Sequence, residues 1–405
     1  MAAPLADITV IEVDNYMAAP STGAILADMG ARVIKVEPLT GDPMRGIGRP
    51  AKVEGALKGY DFGFDVDNRG KRSIAVALDT EAGADVMHRL VAGAQVFMCN
   101  LMPERQKRFA LDPLSLMALN PTLVHATLTG YGTNGPDAGR PGYDVTAFFA
   151  RSGLYDAMRE GDDGEVPMAR PAQGDHTAGL ALLSAILAAL RLAERTGEGQ
   201  VVETSLYESA IWTQATDFGT TAVDGAPVRR RSRHQQLTPA ANRYPCGDGK
   251  WVVLNTLGAN TFEKLAKALD RNDWLTDPRF KDGKGRYQHM AELVGAIDEI
   301  LATRSRDEWG EIFDREKLVW GPVLTLDEVA HDRQAEAIDM FPTIEHPSLG
   351  TYRTVRAPMR FARAEVKPRG PAPGVGQHTR EVLREVGFEA GDIDRLFAAG
   401  ALGGG

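Results

Sequence analysis

A chain of 405 residues, 43% hydrophobic and 25% charged, has the make-up of a folded globular protein and is long enough for two cores. Its formal net charge of −9 argues against nucleic acid as a partner but leaves room for a local basic pocket that takes an anionic ligand. Only two cysteines occur, Cys99 and Cys246, so neither a disulfide framework nor a thiolate metal site is expected, and a reducing, cytoplasmic setting is the natural reading.

The opening MAAPLADITVIEV has no basic region ahead of an apolar one, and no secretion signal is expected. Residues 8 to 13, ITVIEV, predict a strand. PSTGAILADMG (20 to 30) predicts a helix with Pro20 near its start and Gly30 at its end, and ARVIKVE (31 to 37) a second strand. Two such strands in a βαβ unit point to a parallel sheet. The turn between them, DNYMAAPSTG, lacks the G-x-G-x-x-G spacing that lets a backbone approach a dinucleotide, which disfavours an NAD-type site. The carboxyl end of the first strand remains the expected ligand edge, because open parallel sheets bind there.

Further strands are expected at RSIAVAL (72 to 78), QVFMCN (95 to 100), LVHATLTGYG (123 to 132) and QVVETSL (200 to 206), with a helix over TEAGADVMHRLVAGA (80 to 94). The polar, glycine-containing stretch from 151 to 170 reads as a surface loop of this first body. RPAQGDHTAGL (170 to 180) then leads into an apolar helix. Its longest apolar run, Ala178 to Leu190, is 13 residues. That is short of the roughly 20 needed to cross a bilayer, so a buried helix and no membrane partner are expected. By local pattern alone, Asp175 is the N-cap of that helix.

Near residue 225 the character changes, with loops, the basic run PVRRRSRHQQ, a WVVLN strand and the amphipathic helices TFEKLAKAL and MAELVGAIDEILATRS. The basic run suits either a phosphate or substrate carboxylate, or plain solvation. From residue 340 a β-rich stretch leads through VKPRGPAPGVG to a final amphipathic helix, HTREVLREVGF, and the tail GALGGG is expected to be loose. His125 reads as a satisfied core histidine, and Cys246 as packing.

Eight stretches now stand in order: VIEVDNYMAAPSTGAILADMGARVIKVEP, GDPMRG, NRGKRSIAVAL, LNPTLVHATLTGYG, GPDAGRPGYD, GDHTAGL, RTGEGQVVETSL and PGVGQHTREVL. Together they resemble the family III CoA-transferases, the group that includes formyl-CoA transferase and the carnitine CoA-transferase-like proteins, over nearly the whole chain. The resemblance implies an α/β fold in which both chain ends (1–210 and 340–405) form a large Rossmann-like parallel-sheet domain. It also implies a smaller inserted α+β domain (225–325) and an interlaced homodimer. Coenzyme A, as an acyl-CoA, would be a substrate rather than a tightly bound cofactor, with a small carboxylic acid as the second partner.

On the same resemblance Asp175 is the nucleophile, attacking an acyl-CoA thioester to give a mixed anhydride and free CoA thiolate. The helix N-terminus would keep its carboxylate ionised and present N–H groups nearby, and Gly174 would leave room for the thioester. CoA contacts carry over to Tyr16, Met17 and Ala18 in the first turn, to Val76 and Leu78 at the end of RSIAVAL, and to Asn100, Leu101, Met102 and Arg108 in NLMPERQKR. Arg108 would face the nucleotide phosphates. Pro141, Gly142, Tyr143 and Asp144 in RPGYD match positions beside the nucleophile, although the local pattern alone makes Tyr143 a buried tyrosine with its hydroxyl paired.

Two other readings compete. An acyl-CoA racemase of the same superfamily needs a base on each face of the α-carbon, and its pattern has histidine where this chain has Tyr143. His176 is adjacent to Asp175 but should point elsewhere, as consecutive helical residues do. A CoA-binding protein without turnover would have no use for Asp175. The chain departs from formyl-CoA transferase in having no glycine in RSRHQQLTPAAN, which argues against formyl and oxalate substrates, and in Pro38, where that enzyme has an arginine for the nucleotide.

Overall fold

The computed structural model describes residues 2–47, 53–256, 258 and 260–404. In chain order the elements are β1 (Thr9–Val13), α1 (Ala18–Asp28), β2 (Arg32–Glu37), α2 (Phe62–Asn68), β3 (Arg72–Val76), α3 (Glu81–Ala92), β4 (Val96–Cys99), α4 (Pro103–Arg108), α5 (Pro113–Leu119), β5 (Val124–Thr129), α6 (Leu154–Ala157), α7 (Gln173–Thr196), β6 (Gln200–Ser205), α8 (Leu206–Thr213) and α9 (Ala215–Asp224). They continue with β7 (Ala241–Pro245), β8 (Trp251–Asn255), α10 (Thr261–Ala268), α11 (Gly283–Gln288), α12 (Met290–Leu301), α13 (Arg306–Arg315), β9 (Trp320–Val323), α14 (Leu326–Ala330) and α15 (Arg333–Ala337). The chain ends with β10 (Thr343–His346), β11 (Gly350–Arg353), α16 (Thr379–Glu385), α17 (Ala390–Ala398) and β12 (Leu402–Gly403).

One compact unit combines Met1–Leu154, Met168–Asp224 and Gln334–Gly405. Its seven-stranded sheet has the order β12-β3-β2-β1-β4-β5-β6, parallel throughout except for β12, which runs antiparallel to β3. Strand order reverses between β1 and β4, so their carboxyl ends diverge and open a crevice.

The two faces of this sheet differ in chemistry because alternate residues of a strand point to opposite sides. Ile11, Val13, Ile34, Val36, Ile74, Phe97 and Cys99 form an apolar core with Val86, Leu90 and Leu116 of α3 and α5 and with Val382, Leu383 and Ile393 of α16 and α17. On the opposite side of the same strands Glu12, Lys35, Glu37 and Ser73 are equally buried, with Glu12 directly across from Lys35. Buried charge of this kind survives only when paired.

The helix after β1 begins at Ala18, two residues ahead of Pro20. The apolar helix α7 is 24 residues long and starts at Gln173, where Ala172 turns the chain in a left-handed conformation (φ 83°). It is long and apolar enough to span a bilayer by length and composition. Here, however, Ala178, Leu182, Leu183 and Ile186 are buried, and Gly179 sits so close to α1 that a Cβ would lie 2.3 Å from Ser21 Oγ. The tail is not loose: Leu402 and Gly403 pair with Val76 and Ala75, and Thr379 Oγ1 donates to Gly403 O at 2.9 Å.

The second unit combines Tyr155–Pro167 with Gly225–Arg333. An antiparallel sheet, β7-β8-β9, packs with α10, α12 and α13 around Tyr244, Leu254, Trp274, Ile297 and Phe313. Residues 155 to 167, expected as a loop of the first body, belong here for an electrostatic reason. Arg230 of the basic run pairs with Asp156 and Asp162 at 2.6 and 2.9 Å, Arg243 pairs with Glu160 at 2.8 Å, and Arg233 pairs with Asp298. The acidic stretch thus neutralises part of the basic run. Cys246 packs in this core, as expected.

Candidate active site

At the strand-order reversal, the segments after β1, β4 and β5 surround a cavity of about 230 Å³. Asn15, Tyr16 and Ala18 contribute from the first turn, Asn100, Leu101, Met102 and Arg105 from the second, and Thr129 and Gly130 from the third. Leu128, Pro141, Gly142, Tyr143, Leu206 and Asp175 complete the lining. Asn100 stitches the crevice together, its Oδ1 accepting from Asn15 N–H at 3.1 Å and its Nδ2 donating to Asn15 O at 2.7 Å. The loops after β5 approach closely: a Cβ on Gly130 would lie 2.7 Å from Gly142 Cα.

Asp175 is not the cap of α7. It is the third residue of the helix, and the capping is done by Asp144, whose buried Oδ1 accepts from Gly174 N–H at 3.0 Å. Capping from another segment leaves the Asp175 side chain free to face the cavity. Gly174 serves the same contact rather than making room for substrate, since a Cβ there would lie 2.2 Å from Asp144 Oδ1 and 2.4 Å from Phe148 Cγ. The N–H groups of Gly174 and His176 are committed to Asp144 and to Ala172 O.

Burial, and after it the charge of Asp144, pushes the Asp175 carboxyl up to about 7. The expectation that the helix N-terminus holds it fully ionised is therefore reversed, because desolvation and a like charge outweigh the helix end. Asp144 itself is also raised by burial, against the opposing pull of the Ala172 and Gly174 N–H groups.

His176 turns away from Asp175. Its Nε2 lies 3.0 Å from Asp67 Oδ1, a hydrogen bond that raises its pKa, and it lines a separate apolar cavity between α1, α2 and α7. Among the described residues no histidine lines the cavity that holds Asp175. Tyr143 is not buried but 53% exposed, and its ring meets that of Tyr16 edge-on at 5.5 Å. The nearness of the Tyr143 hydroxyl raises Tyr16.

Of the remaining expected contacts, Met17 sits at the N-cap position of α1 and does not line the cavity. Val76 is in the apolar core, and Leu78 packs against it. Arg108 is exposed on α4, where its guanidinium faces Phe109, and the arginine that reaches the cavity is Arg105, one turn earlier. Helical spacing within PERQKR could have singled out Arg105, since Arg105 and Arg108 are neighbours on one face. Asn15, Thr129 and Leu206 carried no local signal. His125 is half satisfied, with Nε2 on Leu111 O at 3.0 Å and a buried, unpartnered Nδ1.

Comparison with known proteins adds an independent observation. The sequence profile of CoA-transferase family III matches residues 5–379. The chain is 31% identical over 394 residues to (R)-2-hydroxy-4-methylpentanoate CoA-transferase of Clostridioides difficile, covering 97% of this chain and 98% of that one. It is 32% identical over 406 residues to cinnamoyl-CoA:phenyllactate CoA-transferase of Clostridium sporogenes, covering 96% and 95%. A CAIB/BAIF family protein from Brucella suis superposes with a TM-score of 0.83 at 29% identity, over 95% of this chain and all of that one.

Proposed function

The chain belongs to CoA-transferase family III and is a CoA-transferase acting on an acyl-CoA and a carboxylic acid; from that premise we propose that Asp175 is its nucleophile and that the cavity at the β1/β4 crevice receives the thioester. The observation that carries the reading is the Asp175 carboxylate, freed from capping, lining a cavity at the ligand edge of a parallel sheet.

The reaction runs by exchange at three carbonyl carbons, those of the donor acyl group, Asp175 and the acceptor. Asp175 attacks the thioester carbonyl and expels CoA thiolate, leaving an acyl aspartyl anhydride. The thiolate then attacks the Asp175 carbonyl carbon, expels the first acid as its carboxylate and forms an aspartyl-CoA thioester. The acceptor carboxylate attacks that thioester to give a second anhydride, and the thiolate returns to the acceptor's carbonyl, which regenerates Asp175. An ordinary carboxylate is about 4.5 pK units less basic than a CoA-like thiol, which makes the first step uphill. With Asp175 near 7, the gap to a thiol near 8.5 shrinks to roughly 1.5 units. Burial beside Asp144 thus makes the nucleophile more basic and the anhydride less costly.

That Tyr16, Ala18, Asn100, Leu101, Met102, Pro141, Gly142 and Tyr143 line this cavity supports their role as contacts for CoA or the acyl group, and Arg105, which also lines it, is proposed in place of Arg108 for the phosphates. The names of the two relatives suggest 2-hydroxy acids as the first acceptors to try.

Exposed apolar surface supports the homodimer. No residue of α9 is buried, and Trp212 and Val223 are 79% and 86% exposed, which is costly unless a second copy covers them. The buried, unbridged Cys99 and Cys246 support a reducing, cytoplasmic setting.

The test is intact-mass spectrometry with peptide mapping after incubation with acyl-CoAs and hydroxylamine, beside Asp175→Ala. The expected result is an acyl-CoA-dependent hydroxamate at Asp175 that the variant lacks. No adduct with any thioester, together with α-proton exchange in deuterated water, would replace the reading with a racemase.

A further inference from the structure

Asp42, in the GDPMRG stretch, lies outside the cavity and is buried at 2% exposure, yet it holds the turn that forms one wall. Its Oδ1 accepts two backbone hydrogen bonds, from Tyr16 N–H at 3.2 Å and from Met44 N–H at 2.8 Å. Its Oδ2 lies 3.0 Å from the Lys35 ammonium as an ion pair, while Lys35 directs hydrogen bonds to Asp14 O and Asp14 Oδ1, both at 3.0 Å. The Asp42 main chain is anchored as well, its N–H donating to Glu37 Oε2 at 2.8 Å, and Glu37 is held in turn by Arg45 and by Ser73 Oγ.

The backbone so held is unusual. Among the described residues that line the cavity, Tyr16 alone has a left-handed φ, 68°, a conformation that a bulky side chain resists. The residues that enforce it come from β2 and the loop after it rather than from the turn. The outcome is a Tyr16 ring standing edge-on to Tyr143 at the mouth of the cavity that Asp175 lines.

We propose that Asp42 is a positioning residue for acyl-CoA binding: braced by Lys35, it holds Tyr16 in the left-handed conformation that shapes the cavity wall. The proposal rests on the cavity receiving the thioester, as argued above. A purely structural role would lower stability without a selective effect on substrate binding.

Steady-state kinetics of the full-length Asp42→Asn, Tyr16→Ala and double variants separate the two. Asp28→Asn is the control: Asp28 is equally buried and pairs with Arg69 at 2.7 Å, away from the turn. Asp42→Asn should raise KM for acyl-CoA about tenfold with kcat within about twofold, and add less than about twofold in the Tyr16→Ala background. Asp28→Asn should lower the melting temperature without changing KM. An unchanged KM in Asp42→Asn, effects of Asp42 and Tyr16 that multiply, or an equal KM rise in Asp28→Asn would each overturn the proposal. Hydrogen exchange of the wild-type enzyme decides even if Asp42→Asn does not fold. The Tyr16 amide should exchange as slowly as those of β1 although its ring is exposed, and fast exchange would refute the clamp. Loss of the proposed function would show instead as a missing Asp175 hydroxamate, leaving the exchange result untouched.

Discussion

As the proposed nucleophile, Asp175 has to meet two opposed demands, because it must be ionised to attack yet basic enough not to be expelled at once by a thiolate. Burial and the neighbouring Asp144 answer both by raising it to about 7. The free enzyme's kcat/KM should therefore climb with pH through an acid limb near 7 as Asp175 loses its proton. Asp144→Asn removes the like charge but keeps an oxygen for Gly174 N–H, so the limb should move to lower pH; a limb that stays in place would mean that Asp144's charge does not act on Asp175. The same shift has a sign in stability. A carboxyl whose folded pKa lies above its unfolded value contributes most below the unfolded value, near 3.8, and loses that contribution as pH rises through about 7. Asp175→Asn should accordingly melt higher than the parent at pH 8 and equally at pH 4, by differential scanning calorimetry. The residue itself was legible from GDHTAGL through resemblance. Its basicity was not, because its burial and the nearness of Asp144 exist only in the fold.

Among the elements, α7 shows how far local pattern reaches. The apolar run made a helix certain, yet the start was misplaced by three residues, since Ala172 in a left-handed turn has no sequence signature and the cap comes from Asp144, about thirty positions away. Gly174 is the element-scale test. Adding one methyl there drives it into Asp144 and Phe148, whereas the same change at Gly93, at the end of α3, meets no atom within 4 Å. Gly174→Ala should destabilise by about 1–3 kcal/mol, as overpacked sites do, and cut turnover sharply. Gly93→Ala should leave both nearly unchanged, as read by urea unfolding and initial rates. Equal behaviour of the two would remove the close-approach argument. The buried face of β1, β2 and β3 is a second case: Glu12, Lys35 and Glu37 look like the polar half of an amphipathic strand, and only the helices covering them turn them into a paired interior network.

For the whole molecule, the strand order places the cavity and the exposed apolar surface argues for a second copy. Sedimentation at micromolar concentration should find a species near twice the 43.8 kDa chain mass. Trp212→Glu, which puts a charge on a side chain now 79% exposed, should shift that species toward monomer if the surface is the interface. A monomeric wild type would refute the dimer outright. The chain divides into two compact units, one of which takes up at Gly225, where the character of the sequence changes. Assignment of residues 155 to 167 to that unit was not readable from the sequence, because it depends on which carboxylates meet the basic run.

Composition, periodicity and motif order were enough for the parallel sheet and the family, and they singled out Asp175 as the proposed nucleophile, because each depends on residues close together in sequence or on a pattern kept along the whole chain. Tertiary structure alone decided that Asp144 caps α7, that Arg105 rather than Arg108 reaches the cavity, that Val76 is core with Leu78 packed against it, and that Asp42 accepts from the Tyr16 N–H. Each of these is a contact between segments far apart in the chain, and its distance and burial exist only once the sheet has brought those segments to one edge.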